Sequence, residues 1–142
     1  MATPETRTDV VQREIRVEAS PETVFPYFTD PERMVRWKGT EATLDPRPGG
    51  VYRVLVGGEH VARGEYVEVV PYSRVAFTWG WEGEGHSVPP GSSTVEIDLV
   101  PDGDATIVRL THRDLPAAER EIHGQGWDRF LPMLAEAVAA SV

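Results

Sequence analysis

A chain of 142 residues, 40% apolar and 26% charged, falls in the range of one ordinary globular domain spanning 1–142 rather than a disordered segment. Its 14 basic against 23 acidic residues give a net charge of −9, which argues against nucleic acid and anionic membrane surfaces as partners. Cysteine is absent, so disulfides, thiolate-bound zinc and thiol catalysis are excluded. No apolar run approaches the ~18 residues of a membrane span and no secretory leader pattern opens the chain, so the expected location is cytoplasmic.

Residues 1–9 are polar and read as a frayed tail. Val11, Ile15 and Val17 then alternate with Gln12, Glu14, Arg16 and Glu18, the pattern of a half-buried strand. Ser20-Pro21-Glu22 carries an N-cap, a first-turn proline and a first-turn acid, and so starts a helix. Pro26 and then Asp30-Pro31 interrupt it, and Asp30-Pro31-Glu32 starts a second short helix that reaches about Trp37.

From Thr40 the period is two. Ala42 and Leu44 form one short strand, and Tyr52, Val54 and Val56 form the inward face of the next, ended by the hairpin signal Gly57-Gly58. Over 60–70 two inward sets compete, Ala62 and Tyr66 against Val67 and Val69, with Gly64 as a candidate bulge, so the parity stays open. Val75, Phe77, Trp79 and Trp81 line up at alternate positions. The Gly- and Pro-rich stretch 82–92 is long for a hairpin and has the composition of a functional flap. Two more alternating runs follow, Val95-Ile97-Leu99 and Val108-Leu110-His112, joined by Asp102-Gly103.

The last element, 115–142, repeats at helical spacing. His123, Trp127, Phe130, Leu131, Leu134 and Val138 fall in one apolar stripe. Gly124, Gly126 and Pro132 weaken such a helix, so it kinks and depends on packing, or the glycines admit a backbone or a ligand beside Trp127. One helix must therefore cover the apolar face of a meander. That predicts an α+β fold: a curved antiparallel sheet of about seven strands wrapped around the C-terminal helix, with two short helices after the first strand.

Several segments carry a resemblance. They are Ser20-Pro21-Glu22-Thr23-Val24-Phe25, Thr29-Asp30-Pro31-Glu32 leading to Arg36-Trp37, and the run from Asp45-Pro46 through Gly49-Gly50-Val51-Tyr52-Arg53. Gly64-Glu65-Tyr66, Arg74 to Trp79, Thr106 to His112 and His123 with Gly126-Trp127 continue them. In this order they resemble the START-like polyketide cyclase superfamily (SRPBCC), and within it the homologues of the activator of the heat-shock-protein-90 ATPase. The match covers about 11–138. Relatives usually show two adjacent tryptophans after the arginine, then Gly-Pro; here the run is Trp37-Lys38-Gly39-Thr40.

The resemblance implies the helix-grip fold and an internal cavity for a small apolar or amphipathic molecule. The expected lining is Phe28, Trp37, Val54, Tyr66, Phe77, Trp79, Leu110, His112, His123, Trp127, Phe130 and Leu131, with Arg53 a further polar candidate. His112 and His123 are the candidates for general acid and base, a weak constellation. No cofactor and no metal is expected, since the two histidines lack a third ligand. Glu82, Glu84 and His86 read as a solvated loop. Binding without catalysis is the leading reading. A cyclase- or dehydratase-like enzyme on a polyketide or aromatic substrate and a co-chaperone-like interaction module are the rivals. A homodimer is compatible with the sequence, and a protein partner is not indicated by it.

Overall fold

The protein is described here by a computed structural model covering residues 10–85 and 87–141; the expected tail 1–9 and His86 lie outside the described residues. Seven strands form one antiparallel sheet: β1 Val10–Val17, β2 Glu41–Leu44, β3 Val51–Val56, β4 His60–Val70, β5 Arg74–Trp79, β6 Ser93–Asp102 and β7 Ala105–Arg113. Their spatial order is β1-β7-β6-β5-β4-β3-β2. Consecutive hairpins therefore build the sheet from β2 to β7, and β1 returns to the far edge beside β7. The helices are α1 Pro21–Val24, α2 Pro31–Met34 and the long α3 Ala117–Ser141. This is the helix-grip arrangement expected from the alternation and the single long helix.

The two short helices follow their punctuation. Ser20 accepts from Thr23 N at 3.4 Å and Asp30 accepts from Glu32 N at 3.0 Å, each satisfying an N–H that the first turn leaves free. Pro26 cannot continue α1, and the chain tightens into a 3-10 turn over Phe25–Phe28. Val24, Phe25, Tyr27, Phe28 and Met34 are buried by this folding, so the pair plugs one end of the sheet.

β4 resolves the parity that the sequence left open: Ala62 and Tyr66 are the inward set, and of the rival pair only Val69 is partly buried. Its first half pairs with β3, from Val56↔His60 to Val51↔Glu65, and places Ala62, Gly64 and Tyr66 inward. The register with β5 then shifts between Tyr66 and Glu68, leaving Val67 exposed. The bulge lies there and not at Gly64. Gly64 serves another need: a Cβ at that position would collide with Thr78 O, so only glycine lets β5 approach.

The face of α3 toward the sheet carries His123, Trp127, Leu131, Leu134 and Val138, all buried, with Phe130 partly so. They meet inward residues of the strands, among them Val95, Ile97, Leu99, Val108 and Leu110. Gly124 faces β1, where an added Cβ would sit 2.6 Å from the Arg13 guanidinium and 3.6 Å from Val11. Arg13 uses that space to reach Asp128 at 2.6 Å, which ties the helix to the edge strand.

Candidate functional site

The interior between sheet and helix has two ends. At one, Tyr52 stacks on Phe77 at 4.0 Å between centroids, with Tyr66 edge-on to both. Phe28 meets Trp37 edge-on at 5.6 Å. The Tyr66 hydroxyl donates to Phe28 O at 2.8 Å and the Trp37 indole N–H to Tyr27 O at 2.9 Å. Burial pushes the phenols of Tyr52 and Tyr66 well above their ordinary range. This end is filled.

The other end holds a cavity of about 320 Å³, within the range of small-molecule sites. Lys38, Val56 at the end of β3, Trp79 at the end of β5, Trp81 just beyond it, and α3 residues Glu119, His123, Gly126, Trp127 and Phe130 wall it. Gly85, Ser87 and Val88 of the loop and Ile122 of the helix complete it. The loop is held shut against the sheet. Trp81 N donates to Val88 O at 2.7 Å, Glu82 N donates to Val61 O at 2.9 Å, and Val88 is buried. Glu82, expected as a solvated loop acid, pairs with Arg53 at 3.2 Å and Arg63 at 3.4 Å. Arg53 is thereby turned to the loop anchor instead of the interior.

Of the residues expected to line a ligand site, Trp79, His123, Trp127 and Phe130 lie on the wall of this cavity. Phe28, Trp37, Val54, Tyr66 and Phe77 belong to the core at the filled end, and Leu110 and Leu131 are buried in the core without reaching the cavity wall. His112 lies one layer behind the wall, 4.9 Å from Trp79 and 6.0 Å from Trp127 between ring centroids.

Both histidines have fixed tautomers. Trp127 Nε1–H donates to His112 Nδ1 at 3.1 Å, so the His112 proton is on Nε2, which donates to Ser93 Oγ at 2.9 Å; Ser93 in turn donates to Trp79 O at 2.7 Å. Burial, and after it the charges of His123 and Lys38, push the His112 imidazole down to about 3. It is a hydrogen-bond hub rather than a proton carrier near neutrality. His123 donates from Nδ1 to Glu119 O at 2.8 Å and accepts from Trp81 Nε1–H at 3.1 Å. Trp79, whose ring sits among these groups, is the exception. Among the described residues its buried indole N–H has no acceptor.

Sequence reasoning missed Lys38. The α2 turn ends with Lys38 N donating to Met34 O at 2.9 Å, and Thr40 N then donates to Leu55 O at 2.8 Å. Between them Gly39 sits at φ +86°, and a Cβ there would collide with Leu55 O. The chain thus crosses close over β3 and sends Lys38 inward, where it is only 3% exposed. Its Nζ lies 4.1 Å from the Trp127 ring centroid, 5.3 Å from Phe130 and 5.5 Å from Trp79. Burial lowers its pKa to about 7. The available signal was that it is the chain's one lysine, next to a tryptophan at a helix end and in place of an expected second ring.

Comparison with known proteins agrees with this architecture. A family profile described as "Activator of Hsp90 ATPase homolog 1-like protein" matches residues 18–139. The human "Activator of 90 kDa heat shock protein ATPase homolog 1" is 27% identical over 113 residues, covering 78% of this chain and 31% of that protein. The chain therefore spans about a third of the curated relative it matches. A solution structure of an AHSA1-like protein from Rhizobium etli is 50% identical, with a TM-score of 0.72 and coverage of 92% and 81% of the two chains. The crystal structure of DynU16, "a putative protein in the dynemicin biosynthetic locus", is 26% identical with a TM-score of 0.81, covering 94% of this chain and 48% of that one.

Proposed function

The chain belongs to the Activator of Hsp90 ATPase homolog 1-like family, and from that premise we propose that it binds a small hydrophobic or amphipathic molecule without transforming it. The observation that supports this is the cavity at one end of a core that is otherwise densely packed. Close packing leaves few voids larger than a water, so a gap of this size with aromatic walls favours an apolar guest. Trp79, Trp127 and Phe130 supply aromatic wall for such a guest, and Lys38 supplies a polar end. Screening fatty acids, flavonoids, small aromatics and polyketide-like compounds by thermal shift tests the reading. A ligand at ~100 times its Kd stabilises by about 2.7 kcal/mol, which at this length raises Tm by on the order of 5–10 °C. Trp fluorescence should follow with the same midpoint. A screen in which no compound moves either signal would overturn it.

The named activity of the human relative favours a second reading, a protein-interaction module that acts on a chaperone ATPase. Ile122, 64% exposed at the cavity rim, gives such a partner an apolar foothold on α3. A purified Hsp90 whose ATPase rate responds to this chain, and not to Ile122→Glu, would support it; an unchanged rate would remove it. A cyclase- or dehydratase-like activity has less support, since His112 is locked by Trp127 and Ser93.

A further inference from the structure

Lys38 is a placement that structural need does not account for. Buried lysines are ordinarily paired with a carboxylate, because an unpaired charge in low dielectric is costly. Among the described residues, every ion pair of a carboxylate is made by an arginine, and none by Lys38. Among the described residues Glu119 is the one carboxylate on the cavity wall, 3.6 Å from His123 Nδ1, and it forms no ion pair with Lys38. The lysine amine instead ends among three ring faces at the edge of the cavity. The rings favour the ammonium and burial favours the free amine. Burial lowers its pKa to about 7, which favours an uncharged, nucleophilic nitrogen far more than in an exposed lysine at neutral pH.

We propose that Lys38 is a covalent docking point, its Nζ taking the carbonyl group of an aldehyde or ketone seated in the cavity as a reversible imine. The proposal rests on the reading of the cavity as a ligand site and names the ligand class. The amine lone pair attacks the carbonyl carbon, a proton passes from nitrogen to oxygen, and the carbinolamine loses water to leave C=N. Carbonyl plus primary amine gives imine plus water, so no oxidant, reductant or cofactor is consumed. Desolvation in an apolar pocket is an established way to activate a lysine amine. A flat aromatic or polyene body bearing one carbonyl would occupy the cavity beside these rings, with its carbonyl toward Lys38.

The test uses the native protein, 2-naphthaldehyde as probe and cyanoborohydride to reduce any imine to a stable secondary amine. Peptide mass mapping separates Lys38 from the α-amino group, since the chain has no other lysine. At neutral pH, Lys38 is expected to be labelled at least about tenfold faster than N-acetyl-lysine amide, and 2-methylnaphthalene should slow the labelling. Lys38→Arg keeps the charge and Lys38→Met the bulk, and both should lose the adduct while still binding 2-methylnaphthalene. Two results overturn the proposal while ligand binding survives: a Tm gain with the aldehyde but no Lys38 adduct, or a Tm gain with labelling no faster than that of the free amide. If neither 2-naphthaldehyde nor 2-methylnaphthalene changes Tm or fluorescence, the ligand-site reading fails as well.

Discussion

The two ends of the interior are built from similar residues and behave differently. At the filled end, Tyr52, Tyr66, Phe77, Phe28 and Trp37 pack ring on ring, and the Tyr66 and Trp37 donors end on backbone carbonyls. At the cavity end, Trp79, Trp81, Trp127 and two histidines leave a gap; the Trp81 and Trp127 indoles donate to histidine side chains, only His123 donates to a backbone carbonyl, and among the described residues the Trp79 N–H has no acceptor. Backbone carbonyls cannot move away, so the first set locks the fold. Side-chain partners can be exchanged for a guest, so the second set is free to respond to one. Aromatic content alone does not distinguish a core from a site; the nature of the hydrogen-bond partners does.

The largest effect expected from this contrast is on stability. Phe77→Ala or Tyr66→Ala should cost about 3–5 kcal/mol in urea unfolding, while any ligand keeps its affinity within about twofold. A loss below about 1 kcal/mol would erase the distinction between the ends. Trp127→Ala lies on the boundary and should lose both, with a similar stability cost of about 3–5 kcal/mol.

The next effect is a pH dependence confined to the cavity end. Lys38 falls to about 7 in the folded protein from 10.5, so the unfolded chain binds more protons between those values and stability rises with pH. From about pH 7 to about pH 9 the gain is on the order of 2 kcal/mol, and Lys38→Met should remove most of it. His112, His123 and Glu119 surround the same space, and His112 acts lower. Its pKa of about 3 against 6.5 means that stability is lost as pH falls through that interval. A flat profile for the wild type from about pH 7 to about pH 9 would show that Lys38 is solvated.

Smaller effects sharpen the comparison. Trp81→Phe removes the donor to His123 Nε2 and should cost about 1 kcal/mol. Phe130→Ala, at a half-buried wall position, should cost about 1 kcal/mol or less in stability yet weaken a flat aromatic ligand about tenfold. If Phe130→Ala instead costs as much as Phe77→Ala, the cavity end is core.

The fold was legible because its signals are local and repeated. Val95-Ile97-Leu99 and Val108-Leu110-His112 alternate without exception, and Ser20-Pro21 and Asp30-Pro31 mark helix starts that the structure reproduces. The parity of β4 was not legible, since a bulge reverses which residues face inward and no residue type marks Val67 as the extra one. The site was half legible. Trp79, His123, Trp127 and Phe130 stood out as rings on inward positions. Which rings fill space and which enclose it depends on how two ends of one sheet close, and alternation carries no trace of that. Lys38 was hidden for a different reason: charge at a helix end reads as solvent-facing, and only Gly39 folding back on β3 turns it inside.

The strand order also has a consequence for how the molecule is assembled. β1 pairs along its whole length with β7, from Val10↔Arg113 to Val17↔Thr106, so the first strand waits for the last one. Every other ladder joins neighbours in sequence and closes a far shorter stretch of chain. Closing the long one costs more chain entropy, though the cost grows only with the logarithm of its length. During synthesis the hairpins from β2 to β6 can form as they emerge, while Val11 and Val17 stay exposed until β7 and then α3 are released. The Arg13–Asp128 pair and the seat of Gly124 on Val11 are then the final contacts to form. A pulse-labelled hydrogen-exchange experiment should find the β1 amides protected last, and refolding slowed by the high contact order rather than by any single strong interaction.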